Sequence, residues 1–245
     1  RLLAQNLSQK VVINCVPFSI VEHQGYKAAL NCDVLFSCVD RPWPRFVLDA
    51  LSQANHIPVI DGGIETSTKS DQSNIDQARW KVHTCGPGRA CMRCIGQYDL
   101  GDIGLEQSGL LEDPSYISNL PKDHFIHRGE NVFAFSISVG AMELQQFLSL
   151  LLQPRRQYYG PKEFDFNSGM IDEDFAFECK ANCDIAALSG EGDKVNQVFI
   201  SNHPIAELRR KNAKSKWQAT FLYYVGGLSL MNLFKKCFVL IKKGL

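Results

Sequence analysis

The first third of the chain alternates apolar and polar stretches in a way that predicts a strand–helix–strand unit. The run Asp33–Val39 is almost continuously apolar, which is typical of a strand buried on both faces. Pro42–Asn55 opens on proline and repeats apolar residues at helical spacing, and Ile57–Ile60 is a further short apolar run. This order predicts a parallel βαβ unit and therefore an α/β sheet. Val11–Cys15 is predicted as one more buried strand.

The rest of the chain predicts further elements and one long connection. Arg79–Thr84 alternates as a strand does, and Glu163–Phe177 is predicted as one or two strands. Asn131–Leu152 is predicted as a long apolar helix, and His203–Lys216 as a basic helix. Residues 97–130 are polar, rich in Gly, Asp and Pro, and show no periodicity. We therefore expect a long loop there, which is either functional or disordered.

The segment Trp217–Phe234 carries no charged residue and has more than one interpretation. Its length meets the lower limit for a membrane span, but it also contains polar residues and glycines. We favour an amphipathic helix that packs on the domain or on a second subunit. A membrane-surface or membrane-spanning anchor is the alternative that we do not favour. A tail altered by misreading or truncation is the third interpretation.

The charge balance and the length narrow the class of protein. The 245 residues include 26 Lys and Arg and 26 Asp and Glu, so no basic excess indicates a nucleic-acid partner. We expect residues 1–200 to form one domain and residues 201–245 a helical, partly apolar tail. The chain opens on Arg1-Leu2-Leu3-Ala4 as if already inside a helix, and no signal peptide is recognisable. We therefore expect an N-terminally truncated fragment of a cytoplasmic protein.

Two cysteine pairs are the strongest chemical signal in the sequence. Cys91 and Cys94 form a CxxC pair, and Cys179 and Cys183 form a CxxxC pair far downstream. Four thiolates close a tetrahedral zinc shell, so the pattern favours a zinc ion that joins two distant parts of one domain. A redox CxxC site and incidental buried thiols are the alternatives, and a disulfide framework does not suit a cytoplasmic chain. The other cysteines are scattered and expected mostly in the core: Cys15, Cys32, Cys38, Cys85 and Cys237.

A carboxylate follows the predicted strand Asp33–Val39. Ligands of α/β sheets bind beyond the carboxyl ends of the strands, so Asp40 is well placed to hold Mg²⁺ against nucleotide phosphates. Arg45 lies in the first turns of the following helix, where it could contact phosphate or pair with Asp40. The alternative is that Asp40 is simply the N-cap of that helix.

Several segments occur in an order that resembles one known family, the ThiF/MoeB/HesA adenylyltransferases, which are similar to ubiquitin-activating enzymes. The resemblance covers roughly residues 1–200 and is greatest to a bacterial branch with a GPGRxCxRCxGQYD stretch, here Gly86–Asp99. The matching segments are Asp33–Asp40 with Arg45, Ile57–Ile64, Gly86–Asp99, Asn131–Leu152, and Cys179 with Cys183.

The resemblance implies a Rossmann-like mixed sheet with residues 97–130 as a long crossover loop. It implies ATP-dependent adenylation of the C-terminal glycine of a ubiquitin-like or sulfur-carrier protein. Asp40 would hold Mg²⁺, Arg45 would support that site, and Cys91, Cys94, Cys179 and Cys183 would hold a structural Zn²⁺. It also implies a homodimer.

The sequence departs from the family pattern in three places. No G-x-G-x-x-G loop follows a strand, so we expect the fragment alone to be inactive. No cysteine lies between Cys94 and Cys179, which favours a member that adenylates without forming a thioester, or one that uses a cysteine elsewhere, such as Cys38 or Cys85. The second pair is CxxxC, whereas the family usually has CxxC. A non-catalytic, zinc-stabilised scaffold for the same partner and a nicotinamide-dependent oxidoreductase are the alternative functions.

Overall fold

The described part of the chain falls into two compact units. The computed structural model describes residues 11–68, 75–120, 132–152, 160–173, 178–195, 199–201, 203–216 and 218. One unit is Ser19–Ser201, and the other combines Arg1–Phe18 with Asn202–Leu245. The β-sheet and all the candidate site residues belong to the first unit. In the second unit, residues 204–216 form a helix, α6, as the sequence predicted.

The predicted strand–helix–strand unit is confirmed. After helix α1 (His23–Ala29), strand β1 (Leu35–Ser37) pairs in parallel with strand β2 (Val59–Thr68), and helix α2 (Pro42–Asn55) connects them. Helix α2 has the predicted bounds because proline suits a first helical turn, and because His56 ends the helix in a left-handed conformation at φ 58°.

The other strands extend this pair into a mixed sheet. Strand β3 (Ile75–Cys85) runs antiparallel to β2, and the hairpin of β4 (Lys162–Asp165) and β5 (Met170–Glu173) continues beyond it, in the order β1-β2-β3-β4-β5. Trp80 of β3 anchors one face of the sheet, because its ring stacks on Phe164 at 4.5 Å and on Phe135 at 4.9 Å between ring centroids. The α/β class with a mixed sheet agrees with the expectation.

A long helix, α5 (Phe133–Leu152), packs on β2 and β3. Phe135 and Val139 are buried in one core cluster with Ile60 and Val82 of the sheet. Alternate residues of β2 face different helices, since a side chain on Gly62 would meet α5 whereas one on Gly63 would meet Arg45 of α2. The helix prediction is confirmed within the described residues.

The opposite side of α5 carries apolar side chains in solvent. Ile137, Leu144 and Leu151 recur every seventh residue there, and all three are more than half exposed. Among the described helices, α5 is the one whose length and composition would allow it to cross a membrane, and 22% of the tested window is buried. A core helix that packs on a sheet also meets that criterion.

Several sequence predictions were wrong or incomplete. Val11–Cys15 is not a strand: these residues are irregular, and Val12 is 84% exposed. An apolar run becomes a strand only beside a pairing partner, and the described residues provide none for it. Strand β1 is shorter than the predicted Asp33–Val39, whereas β2 continues far beyond the apolar run Ile57–Ile60, to Thr68. The segment Trp217–Phe234 lies outside the described residues, except for residue 218.

Residues 97–120 are not the irregular loop that was expected. They form helices α3 (Leu100–Gln107) and α4 (Pro114–Ser118), joined by a short 3₁₀ turn. Asp99 and Asp113 start the two helices, and each side chain accepts a hydrogen bond from a backbone amide of the first turn. These short helices were not predicted because they bury few residues, so their sequences show no clear apolar repeat. Residues 121–130 lie outside the described residues.

The close approach of α5 to the sheet predicts that Gly62→Ala destabilises the protein. A Cβ at this position would lie 2.6 Å from Val139 Cγ1 and 2.3 Å from Glu143 Oε1, so these side chains or the helix that carries them must shift. We expect a loss of about 1–3 kcal/mol in the free energy of unfolding, measured by urea denaturation. Gly104→Ala is the matched control, because nothing lies within 4 Å of the added atom in helix α3. Equal effects of both substitutions would contradict the proposed packing.

Candidate functional site

The first cysteine pair lies on a tight turn that follows β3. The amide of Gln97 donates to the carbonyl of Met92 at 2.9 Å, and Gly96 has φ 78°, a left-handed conformation that favours glycine. Within the turn, the amide of Cys94 donates to Cys91 Sγ at 3.4 Å. The backbone therefore brings the two sulfurs together locally.

The second cysteine pair reaches the first through backbone amides. The amide of Cys91 donates to Cys179 Sγ at 3.2 Å, and the amide of Lys180 donates to Cys94 Sγ at 3.4 Å. The segment bends back because the amide of Cys183 donates to the carbonyl of Lys180 at 3.2 Å. Amides that point at sulfur favour thiolates, which are the form that binds metals.

The four sulfurs form one compact cluster, and the structure brings together all four residues named from the sequence. The Sγ atoms of Cys91, Cys94, Cys179 and Cys183 lie within 4.8 Å of one another. Cys183 Sγ is 3.6 Å from Cys91 Sγ and 3.5 Å from Cys94 Sγ, too far for a disulfide of about 2.05 Å. Such a cluster of four cysteines could hold a metal ion.

Burial and hydrogen bonds shift the pKa values of thiols in the cluster in different directions. Burial raises the pKa of Cys91 well above its ordinary value, and it raises the pKa of Cys179 to about 12. Burial also opposes ionisation of Cys183, but hydrogen bonds from the Ala186 amide and from neighbouring thiols outweigh it and lower the pKa of Cys183. A bound dication would deprotonate these thiols, because a thiol that coordinates a metal ion loses its proton.

Asp40 lies just beyond the carboxyl end of β1 and is exposed. The alternative that it caps α2 is wrong, because Arg41 is the N-cap residue and makes no side-chain cap. Instead, Glu106 of α3 accepts a hydrogen bond from the Trp43 amide at 2.9 Å. Burial raises the pKa of Glu106, and the nearby charge of Asp40 adds to this shift. The segment that begins at residue 97 therefore packs on the start of α2, beside Asp40.

Arg45 does not pair with Asp40. Its side chain instead joins α2 to β2 and to residue 97. Its guanidinium donates to the carbonyls of Gln97 and Gly62, both at 3.2 Å. Its Nε lies 3.3 Å from Asp61 Oδ1, and the Asp61 side chain is fully buried. Gly63 leaves the room for this arrangement, because an added Cβ would lie 3.2 Å from the guanidinium.

Two buried acids, Asp61 and Glu143, lie near these residues and were not predicted as site residues. Asp61 is an ion-pair partner inside β2, and burial raises its pKa although the charge of Arg45 opposes this. Glu143 of α5 is 7% exposed, and burial together with the charge of Asp61 raises its pKa to about 7. A carboxylate next to two glycines in an apolar run was the available signal for Asp61. A single acid in an otherwise uncharged helix was the signal for Glu143.

The remaining cysteines differ from the expectation that most are core residues. Cys15, Cys32 and Cys38 are exposed, and only Cys85 is buried. Cys38 misses the core because the described strand ends at Ser37. Cys237 lies outside the described residues.

A separate cavity of about 430 Å³ lies between α5 and the sheet. Apolar side chains from both elements line it, and the polar groups are Gln145, Gln146, Ser149 and Lys162. Gln146 is already engaged, because its Oε1 accepts from Thr84 Oγ1 at 3.0 Å. The cavity shares no residue with the cysteine cluster or with the surroundings of Asp40.

The raised pKa of Glu143 predicts how stability depends on pH. The folded protein holds a proton on this carboxyl up to about pH 7, whereas the ordinary value is 4.5. Unfolding then favours ionisation, so the contribution of Glu143 to stability is present at low pH and is lost as the pH rises through this window. We expect Glu143→Gln to raise the melting temperature at pH 8 more than at pH 5. Glu65→Gln, at an exposed position on β2, is the control; an equal response of both variants would contradict the assignment.

No model of a known protein family and no curated protein matches this chain, so the geometry of the site and the resemblance in sequence pattern carry the functional proposal.

Proposed function

We propose that this chain belongs to a ThiF-type adenylyltransferase with a structural zinc ion. Its substrate is the C-terminal glycine of a ubiquitin-like or sulfur-carrier protein, and the domain is Rossmann-like. The single observation that carries the proposal is the convergence of Cys91 and Cys94 with Cys179 and Cys183, at the chain positions where the family carries its zinc ligands. The parallel β1–α2–β2 unit, with a carboxylate after β1, supports it.

The geometry of the cluster fits zinc. With Zn–S bonds of about 2.3 Å, the sulfurs of a tetrahedral shell lie about 3.8 Å apart. The two short sulfur–sulfur distances of 3.6 and 3.5 Å are close to that value. Four protein sulfurs leave no open position for a substrate, so the role of the zinc is structural.

Asp40 is the residue proposed for the adenylation site. It is exposed, lies beyond the end of a parallel strand, and makes no hydrogen bond or ion pair with another described residue in this structure. Magnesium accepts one or two carboxylates together with phosphate oxygens, so Asp40 would hold Mg²⁺ on the phosphates of ATP. Adenylation then joins the glycine carboxylate to the α-phosphate and releases pyrophosphate. Arg45 supports this site by fixing α2 to β2 and to residue 97.

A non-catalytic scaffold for the same partner is the second candidate function. The engagement of Arg45 favours it, because a guanidinium bound to Asp61 and to two carbonyls is not available for phosphate. A homodimer and a cytoplasmic location remain predictions.

The zinc proposal predicts about one zinc ion per chain in the purified protein, measured by elemental analysis. Cys91→Ser removes one ligand and should lower both the zinc content and the melting temperature. Cys32→Ser is the control, because Cys32 is exposed and lies outside the cluster. A well-folded wild-type protein without bound metal would overturn the proposal.

The adenylation proposal predicts that the full-length protein exchanges pyrophosphate into ATP when its carrier protein is present. Asp40→Asn should abolish this exchange without changing the melting temperature, because Asp40 is exposed. Asp33→Asn is the matched control, because Asp33 is an exposed aspartate before the start of the same strand. Exchange at the wild-type rate in Asp40→Asn would contradict the role of Asp40. Carrier binding without any exchange by the wild type would favour the scaffold.

A further inference from the structure

Asp49 is a fully buried carboxylate in the middle of α2. Its Oδ1 accepts a hydrogen bond from the Met92 amide at 3.1 Å. Its Oδ2 accepts from the Arg93 amide at 3.3 Å and from the Tyr98 hydroxyl at 2.9 Å. All three donors lie on or just after the turn that carries the first cysteine pair.

Two of these donors are the backbone amides between the proposed ligands Cys91 and Cys94. The direction of an amide fixes its peptide plane, so the two bonds to Asp49 restrict the turn to one conformation. In that conformation both sulfurs belong to the cluster. A carboxylate without such partners is costly to bury, which makes Asp49 and the turn depend on each other.

Arg45 holds the same segment one helical turn earlier. Residues four apart lie on one face of a helix, so Arg45 and Asp49 project from the same side of α2. Arg45 donates to the carbonyl of Gln97 at 3.2 Å, and Asp49 accepts from the amides of Met92 and Arg93. Helix α2 therefore contacts both ends of the turn. Asp49 accepts hydrogen bonds at one end, and Arg45 donates a hydrogen bond at the other.

We infer that Asp49 is a positioning residue for the metal centre and that metal binding, through Asp49, stabilises helix α2. This inference rests on the proposed zinc site and names a residue outside its ligand set. The coupling reaches the start of α2, which lies two residues after Asp40. Occupancy of the metal centre therefore influences the start of α2, beside the place proposed for ATP.

The first test measures zinc affinity by competition with a chromophoric chelator. Asp49→Ala leaves the two amides without their acceptor, so we expect a loss of about 10–100-fold, as is usual for residues that support metal ligands. Asp49→Asn keeps one acceptor oxygen and should lose less, and Tyr98→Phe keeps both amide bonds and should lose least. Ser52→Ala is the matched control, because Ser52 is buried on the same helix and its hydroxyl has no partner among the described residues.

The second test separates positioning from general stabilisation. A merely structural role would lower the melting temperatures of metal-free and zinc-bound protein equally in Asp49→Asn. A positioning role reduces the increase in melting temperature that zinc produces. In the wild type, zinc should also slow hydrogen exchange in residues 42–49, and this response should be weaker in Asp49→Asn.

The outcomes distinguish the inference from the zinc proposal. Wild-type protein that binds no zinc would refute the zinc site. Wild-type protein that binds zinc, together with an Asp49→Asn variant of equal affinity and equal zinc-dependent stabilisation, would refute the role of Asp49 alone. Unchanged exchange of residues 42–49 on zinc removal would refute the coupling to α2. If Asp49→Ala does not fold, the Asn and Phe variants decide the question.

Discussion

Four sulfurs that are up to 92 positions apart in the chain lie within one small cluster, so the chain between the two pairs must fold back to its starting point. Between the two pairs the chain builds α3, α4, α5 and the β4–β5 hairpin before it returns. Closing so long a loop costs conformational entropy that grows only slowly with its length. The proposed zinc ion would offset this cost by drawing the thiols together, and it would counter the burial that raises the pKa of Cys91 and Cys179.

Helix α2 connects the cysteine cluster to the parallel strands. Its apolar face is buried with Val21 and Tyr26, so it cannot tilt without disturbing the core. Its polar residues are directed inward as well, with Arg45 on β2 and Asp49 on the turn of the first cysteine pair. A helix that buries both charged and apolar groups has few alternative positions, so α2 would be a rigid support for the proposed metal centre and the proposed nucleotide site.

The elements that were predicted correctly are those that a short stretch of neighbouring residues determines by itself. Helix α2 was placed correctly because Pro42 favours a first turn and a helical apolar repeat follows it. The cysteine pairs were recognisable because metal ligands require close spacing within each pair. The partners of buried charges were not recognisable, because they are set by packing: Asp61 became an ion-pair partner only when α2 brought Arg45 to β2. Val11–Cys15 failed for a related reason, since a strand is defined by its neighbours.

The exposed face of α5 also affects how the protein behaves in solution. The chain has a formal net charge of zero and an isoelectric point near 7.1, so molecules at neutral pH have little charge repulsion to keep them apart. The exposed leucine and isoleucine side chains of α5 then favour association between protein molecules. Handling the protein well away from its isoelectric point, for example above pH 8.5 at low salt, would restore the repulsion and favour dispersed molecules.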